Sequence, residues 1–101
     1  MPSIPIEIVR YTDADVPGFV ECRLMDVYGR VWTFEEKVPI VSAEYLGADS
    51  QYPRPSSIEC TILRRDGEIV RIGIDPICEY FECDVPAADI EADCKAVIED
   101  L

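Results

Sequence analysis

Residues 20–32 read Val20-Glu-Cys-Arg-Leu-Met-Asp-Val-Tyr-Gly-Arg-Val-Trp32, and residues 58–70 repeat the pattern as Ile58-Glu-Cys-Thr-Ile-Leu-Arg-Arg-Asp-Gly-Glu-Ile-Val70. The two segments align without gaps at an offset of 38 residues, and Glu, Cys and Gly are identical at three matched positions. Each copy alternates apolar and polar residues before a glycine, which is typical of a strand, a tight turn and a second strand. The repeat therefore predicts two equivalent β-hairpins, with Gly29 and Gly67 at positive φ in the turns.

The alternation also predicts which side chains face the core, because successive residues of a strand point to opposite faces. In the first hairpin Val20, Cys22 and Leu24 share one face, and Trp32 and Phe34 are expected to join it from the return strand. The corresponding face of the second hairpin holds Ile58, Cys60, Ile62, Val70, Ile72 and Ile74. One inner face per hairpin favours two sheets, or one strongly bent sheet, around a common core.

Three further segments are expected to complete a single domain over residues 1–101. Ile4, Ile6 and Ile8 alternate with polar or proline residues, and the prolines favour an edge strand. Ile77 to Asp84 is a further candidate strand. Ser42 to Gly47 has a capping serine and a terminal glycine, which predicts one short helical turn.

The C-terminal segment changes period and predicts a helix that begins near Pro86. Its apolar stripe consists of Ile90, Cys94, Val97, Ile98 and Leu101. The fold class predicted from all segments is mostly β (α+β), with two hairpins and one or two extra strands in a small barrel or sandwich, plus the C-terminal helix.

Negative charge is concentrated towards the C-terminus. Residues 75–101 carry nine acidic side chains and one basic one, which accounts for eight of the twelve net negative charges of the chain. A field of this sign favours capture of a basic partner and opposes binding to nucleic acid or an anionic membrane. The residues predicted to contact a partner are Glu79, Glu82, Asp84, Asp89 and Glu91, with Tyr45 and Tyr52 as aromatic anchors. The alternative is a solvated acidic surface that serves solubility alone.

No catalytic signature is present in the sequence. The chain contains no histidine, and the nucleophile-elbow, Walker and dinucleotide-binding patterns are all missing. The carboxylate pairs Asp13/Asp15 and Glu35/Glu36 are predicted to be solvated surface. We therefore expect no enzyme, no cofactor and no metal site.

Five cysteines make an odd number, so they cannot all pair within one chain. Buried thiols are the favoured interpretation, while a redox or disulfide role stays open. Zinc is the least favoured, because the closest pair is Cys78 and Cys83 and no histidine accompanies them. No apolar run reaches the length of a membrane span and no export signal is visible, so a cytoplasmic location is expected.

The stretch from Gly18 to Val41, together with Tyr52-Pro and Ile58-Glu-Cys60, resembles a group of small bacterial proteins of no settled activity. The resemblance covers about half of the chain and implies a bacterial origin. In size and charge alone, the chain is also similar to immunity proteins, which neutralise a toxin by binding it. The function expected is a non-enzymatic acidic protein-binding module, in its most concrete form an inhibitor of a basic bacterial toxin. The alternatives are a structural or oligomerising protein and, less favoured, a thiol redox protein.

Overall fold

The computed structural model describes residues 2–77 and 79–91. Most of these residues lie in strands, and a single short α-helix is present among them. The strands are β1 (Ser3–Asp13), β2 (Phe19–Met25), β3 (Val31–Lys37), β4 (Arg54–Glu59), β5 (Thr61–Asp66), β6 (Ile69–Ile74) and β7 (Phe81–Pro86), and the helix is α1 (Val38–Val41). The mostly-β class is therefore confirmed.

The strands form two antiparallel sheets, as expected from one inner face per hairpin. The first sheet has the order β3-β2-β1-β4 and the second has the order β5-β6-β7. The first predicted hairpin is β2–β3 and the second is β5–β6, so the two copies of the repeat lie in different sheets. The sheets share one hydrophobic core and do not close into a barrel.

The chain passes from one sheet to the other at Cys60. Ile58 and Glu59 end β4 in the first sheet, and Thr61 begins β5 in the second. Cys60 itself is buried, and its backbone N–H donates to the carbonyl of Pro2 at 3.0 Å. This corner brings the end of β4 next to the beginning of β5, and it helps to form the cavity described below.

The core contains the side chains that the alternation predicted. Val20, Cys22 and Phe34 are buried in the first sheet, whereas Trp32 is only partly buried against the core. The second sheet contributes Val70, Ile72, Ile74, Cys83 and Val85, each at most 3% exposed. Burial of these apolar side chains is the main favourable contribution to folding.

The prediction that the first strand lies at an edge is wrong. β1 is central, because it pairs with β2 on one side and with β4 on the other. It runs for eleven residues, and its pairing with β2 extends only from Glu7 to Asp13. Pro5 lies outside that range and faces Ser57 of β4. A proline is thus accommodated where the strand has only one neighbour.

The helical turn predicted at Ser42 to Gly47 is also wrong. The helix lies just before it, at Val38–Val41, and carries Pro39 in its first turn, where a missing N–H costs least. Ser42 follows the helix, and its backbone N–H donates to the carbonyl of Val38 at 2.9 Å. Its hydroxyl accepts the N–H of Glu44, so this serine stabilises a turn rather than starting a helix.

The predicted C-terminal helix is wrong over the residues that the structure describes. After β7, the chain makes a single 3₁₀ turn at Ala87–Asp89, and Ile90 is already extended. Glu91 then forms a bridge with Ser3 through two backbone hydrogen bonds. The rest of the predicted stripe, from Cys94 to Leu101, lies outside the described residues. The strand predicted from Ile77 begins only at Phe81.

In residues 2–77 and 79–91 we find no helix with the length and apolar character needed to cross a bilayer.

Candidate functional site

The five predicted partner-binding carboxylates do not form one surface. Glu79 precedes β7, whereas Asp89 and Glu91 follow it and lie beside the beginning of β1. The six residues of β7 separate the two groups by roughly 20 Å, since a strand rises about 3.3 Å per residue. Glu79, Asp89 and Glu91 are exposed.

Glu82 and Asp84 lie on the outer face of the second sheet and already have partners. The Arg71 guanidinium pairs with Glu82 at 3.3 Å and with Asp84 at 3.2 Å. The Tyr80 hydroxyl donates to Glu82 at 2.9 Å, and the Tyr28 hydroxyl donates to Asp84 at 3.2 Å. These hydrogen bonds raise the pKa of both tyrosines above the ordinary value. The two carboxylates are therefore partly neutralised within the chain.

Gly73 allows Tyr80 to lie across the outer face of β6. A Cβ atom at Gly73 would collide with the Tyr80 hydroxyl and would also meet the ring at 3.0–3.1 Å. Any larger residue would therefore push Tyr80 away from Glu82. Glycine in a strand often marks such a close approach.

The predicted aromatic anchors differ from each other. Tyr45 is 88% exposed, whereas Tyr52 is partly buried, and its hydroxyl donates to the carbonyl of Gly47 at 2.9 Å. Partial desolvation raises the pKa of Tyr11 above its ordinary value, and the nearby Tyr45 and Tyr52 raise it further. Tyr52 thus fastens a loop onto the core, and only Tyr45 is free to contact a partner.

A cavity of about 410 Å³, lined by residues of both sheets, lies near the β4–β5 corner. We call it the Glu36 cavity. Its lining includes three carboxylates, and no lysine or arginine of the described residues lines it. The lining residues are Glu36, Pro39, Ile40, Ile58, Glu59, Cys60, Thr61, Gly73, Asp75 and Tyr80.

Glu36 is the unusual member of this lining because it is only 4% exposed. It lies on β3 directly opposite Val20 of β2, so it occupies an inner-face position. Its Oε1 atom accepts the backbone N–H of Lys37 at 2.8 Å. Its Oε2 atom accepts no hydrogen bond from the described residues and is not itself buried, so it is open to solvent in the cavity. The prediction that Glu36 is solvated surface is therefore wrong, although Glu35 is exposed as predicted.

A second cavity, of about 420 Å³, adjoins the first at Tyr80. We call it the aromatic cavity. Trp32 and Phe81 stack in it with ring centroids 5.1 Å apart, and the Arg30 guanidinium lies over the Trp32 ring at 4.0 Å. Its lining residues are Trp32, Thr33, Phe34, Glu79, Tyr80 and Phe81. Glu79 is the one predicted partner-binding residue that lines either of these two cavities.

Cys22, Cys60 and Cys83 are buried as predicted, while Cys78 and Cys94 lie outside the described residues. Burial raises the pKa of Cys60, and it raises the pKa of Cys83 to about 11 with help from Asp26 and Asp84. Because the thiolate is the nucleophile, both thiols are poorly suited to attack a substrate at neutral pH. In the part of the chain that the structure describes, no three His, Cys, Asp or Glu residues are grouped as metal ligands.

Sequence reasoning missed Glu36, Glu59, Asp75 and Tyr80. The signal for Glu36 was present, because the alternation that places Trp32 and Phe34 inside also places Glu36 inside. Nothing comparable marks Glu59 or Asp75, since they reach the cavity only through the β4–β5 corner and the end of β6.

No protein-family model matches this chain, and no match was found among curated proteins or solved structures.

Proposed function

We propose that this protein is a non-enzymatic binding module for a basic protein, and that the Glu36 and aromatic cavities form its contact surface. The observation that carries the proposal is the set of carboxylates in these adjoining cavities. Glu36, Glu59, Asp75 and Glu79 line them, and none of the four pairs with a basic side chain of the described residues. Several carboxylates on the sheet faces are instead paired with arginine, as Glu21 is with Arg10 and Glu82 with Arg71.

The apolar composition of the surface supports a protein partner. Ile40 is 57% exposed and Tyr80 is 48% exposed, and both line the Glu36 cavity. Trp32 and Phe81 add a stacked aromatic pair in the adjoining cavity. Aromatic residues surrounded by polar ones are typical of the centres of protein interfaces.

The other predicted residues have smaller roles in this proposal. Asp89 and Glu91 contribute to the long-range negative field, whereas Arg71 offsets much of the charge of Glu82 and Asp84. Tyr45 remains a candidate for a separate contact. The most concrete form of the function is neutralisation of a basic toxin, as in an immunity protein.

The test compares two triple variants with equal net charge. In the cavity variant, Glu59→Gln, Asp75→Asn and Glu79→Gln remove three exposed carboxylates from the proposed surface. In the control variant, Asp13→Asn, Asp15→Asn and Asp49→Asn remove three exposed carboxylates elsewhere. Each immobilised protein is used to capture partners from a lysate of the source cell, and the captured proteins are identified by mass spectrometry.

We expect the wild type and the control variant to capture the same basic protein and the cavity variant to lose it. With that protein in hand, surface-based kinetics should show association roughly ten-fold slower for the cavity variant at low salt. The gap should narrow as ionic strength rises, because salt screens the steering. Equal slowing in both variants would show that net charge, and not this surface, matters. If no basic protein is captured, the structural or oligomerising alternative takes precedence.

A further inference from the structure

Glu36 lies where a charged side chain is costly. It is 4% exposed and occupies an inner-face position beside Val20. Transfer of a carboxylate from water is unfavourable unless a cation or several hydrogen bonds compensate. Here the only compensation from the described residues is the backbone N–H of Lys37. The second carboxylate oxygen accepts nothing from the described chain and is open to the solvent of the cavity.

The neighbouring basic side chains do not supply a cation for Glu36. Lys37 follows Glu36 on the strand and therefore points to the opposite face, where it is exposed. Arg71 is engaged by Glu82 and Asp84 on the outer face of the second sheet. No basic side chain of the described residues reaches Glu36, and the Glu36 cavity is the opening through which a cation from outside could approach it.

We propose that the Glu36 cavity receives the ammonium group of a lysine side chain from the basic partner. This inference rests on the proposed function and identifies the partner side chain that would contact Glu36. Pro39, Ile40 and Ile58 supply apolar surface that suits the aliphatic stem of a lysine. Glu59 and Asp75 are exposed parts of the same lining and attract the charge as it enters.

The geometry favours lysine over arginine. An arginine pairs best when both carboxylate oxygens accept from its planar fork. In Glu36 one oxygen already accepts the Lys37 N–H at 2.8 Å, so a two-pronged arginine would have to share that oxygen with the backbone. An ammonium group is a compact point charge and needs only the other oxygen.

The experiment uses n-butylammonium, a mimic of the lysine side chain, with ¹⁵N-labelled full-length protein at constant ionic strength. Amide resonances of Cys60 and Thr61, which line the cavity, report binding. Glu36→Gln removes the charge while keeping the shape. Glu35→Gln is the matched control, because it makes the same change on the next residue, whose side chain is exposed. Parallel titrations use n-butylguanidinium and the peptide acetyl-Gly-Lys-Gly-amide.

We expect saturable binding of n-butylammonium to the wild type and to Glu35→Gln, and binding at least about ten-fold weaker to Glu36→Gln. The guanidinium should bind the wild type more weakly than the ammonium, and the lysine peptide should show the same dependence on Glu36. The Glu36→Gln variant should melt at a temperature no lower than the wild type, because it loses a buried charge without a cation.

Equal affinity for the Glu36→Gln variant, or a lower melting temperature for it, would overturn the inference. Binding of n-butylammonium without binding of the peptide would also overturn it, because the site would then accept a free amine and not a side chain. If the captured basic protein depends on Glu59, Asp75 and Glu79 but not on Glu36, the proposed function stands and this inference fails. If n-butylammonium and the peptide need Glu36 but no basic protein is captured, the proposed function fails and the cation site remains.

Discussion

The two hairpins begin from similar sequences and reach different geometries. A five-residue loop connects β2 to β3, whereas a two-residue loop connects β5 to β6. Leu24 pairs with Trp32 in the first hairpin. Its counterpart Ile62 pairs with Ile72, not with Val70, the counterpart of Trp32. This shift of two residues keeps the same side chains inside, since a shift of one would turn them out. The repeat thus preserves the inner face but not the register.

Asp26 accounts for much of the difference between the two loops. Asp26 in the first hairpin accepts hydrogen bonds from the backbone N–H groups of Tyr28 and Arg30 and from the Trp32 indole, at 2.9–3.0 Å. These bonds hold the longer loop together. The residue 38 positions later is Arg64, which is exposed and has no acceptor atom. The second hairpin instead closes tightly at Gly67, with a register shift in β5 between Ile62 and Arg64.

The second strands of the two hairpins also differ at the proposed contact. At the repeat offset of 38, Glu36 corresponds to Ile74, which is 1% exposed in the core. The second hairpin thus has a side chain that fills its place, whereas the first has a carboxylate that faces a cavity. The comparison indicates that the charge at Glu36 is not required by the hairpin fold.

The largest loss of stability is expected for Ile74→Glu, which places a carboxylate at the position of the second hairpin that corresponds to Glu36. The new carboxylate would be buried in a packed core without a cation, which should cost more than about 4 kcal/mol of unfolding free energy. Ile74→Val is the control and should cost about 1 kcal/mol. Urea denaturation monitored by circular dichroism measures both. A stable Ile74→Glu variant would mean that the two positions are equivalent after all.

A smaller effect is expected at the two turn glycines. Gly29 has φ of +82° and Gly67 has φ of +64°, and an added Cβ would meet no atom within 4 Å at either. The cost of Gly29→Val and Gly67→Val is therefore conformational, about 1–3 kcal/mol each. Gly67→Val should lose more, because a two-residue loop cannot redistribute the strain. Thermal melts measure both losses.

Glu68→Ala is the control for these variants, since Glu68 is exposed in the same loop and lacks a positive φ. It should change stability by less than about 0.5 kcal/mol. Melting of both valine variants within one or two degrees of the wild type would contradict the turn geometry.

The inner faces of the strands could be predicted from the sequence, whereas the loop lengths and the central place of β1 could not. Alternation predicted the inner faces correctly because burial of one face imposes a period of two on every strand. It could not give the loop lengths, because the hydrogen bonds that Asp26 accepts in the longer loop leave no mark on the alternation. The central place of β1 was also missed, since the prolines report only the local absence of a neighbour on one side.

The candidate surface was harder to predict than the fold. The net charge indicated a basic partner, but it does not distinguish one C-terminal carboxylate from another. Two of them, Glu82 and Asp84, already pair with Arg71. The Glu36 cavity arises where β3, the β4–β5 corner and the end of β6 meet, and no local pattern reports such a meeting. Its shape also depends on Gly73, because a Cβ atom at that position would collide with Tyr80.

The smallest effect on stability is expected from protonation of Asp26 in the first hairpin. It is also the sharpest test of the difference between the two hairpins. The hydrogen bond from Trp32, with those from Arg30 and Tyr28, lowers the pKa of Asp26 below the ordinary value of 3.8 despite partial burial. A folded-state pKa that is depressed stabilises the fold above the unfolded value, and this contribution is lost as pH falls through the folded value.

Trp32 is the only tryptophan in the chain, so its fluorescence reports this protonation directly. We expect a fluorescence transition with a midpoint below pH 3.8 in the wild type. Glu79 also lines the cavity beside Trp32, so Asp26→Asn is the necessary control. That variant cannot titrate at position 26 and should lose the transition. If the transition persists unchanged, Asp26 does not control the first loop, and the two hairpins differ for another reason.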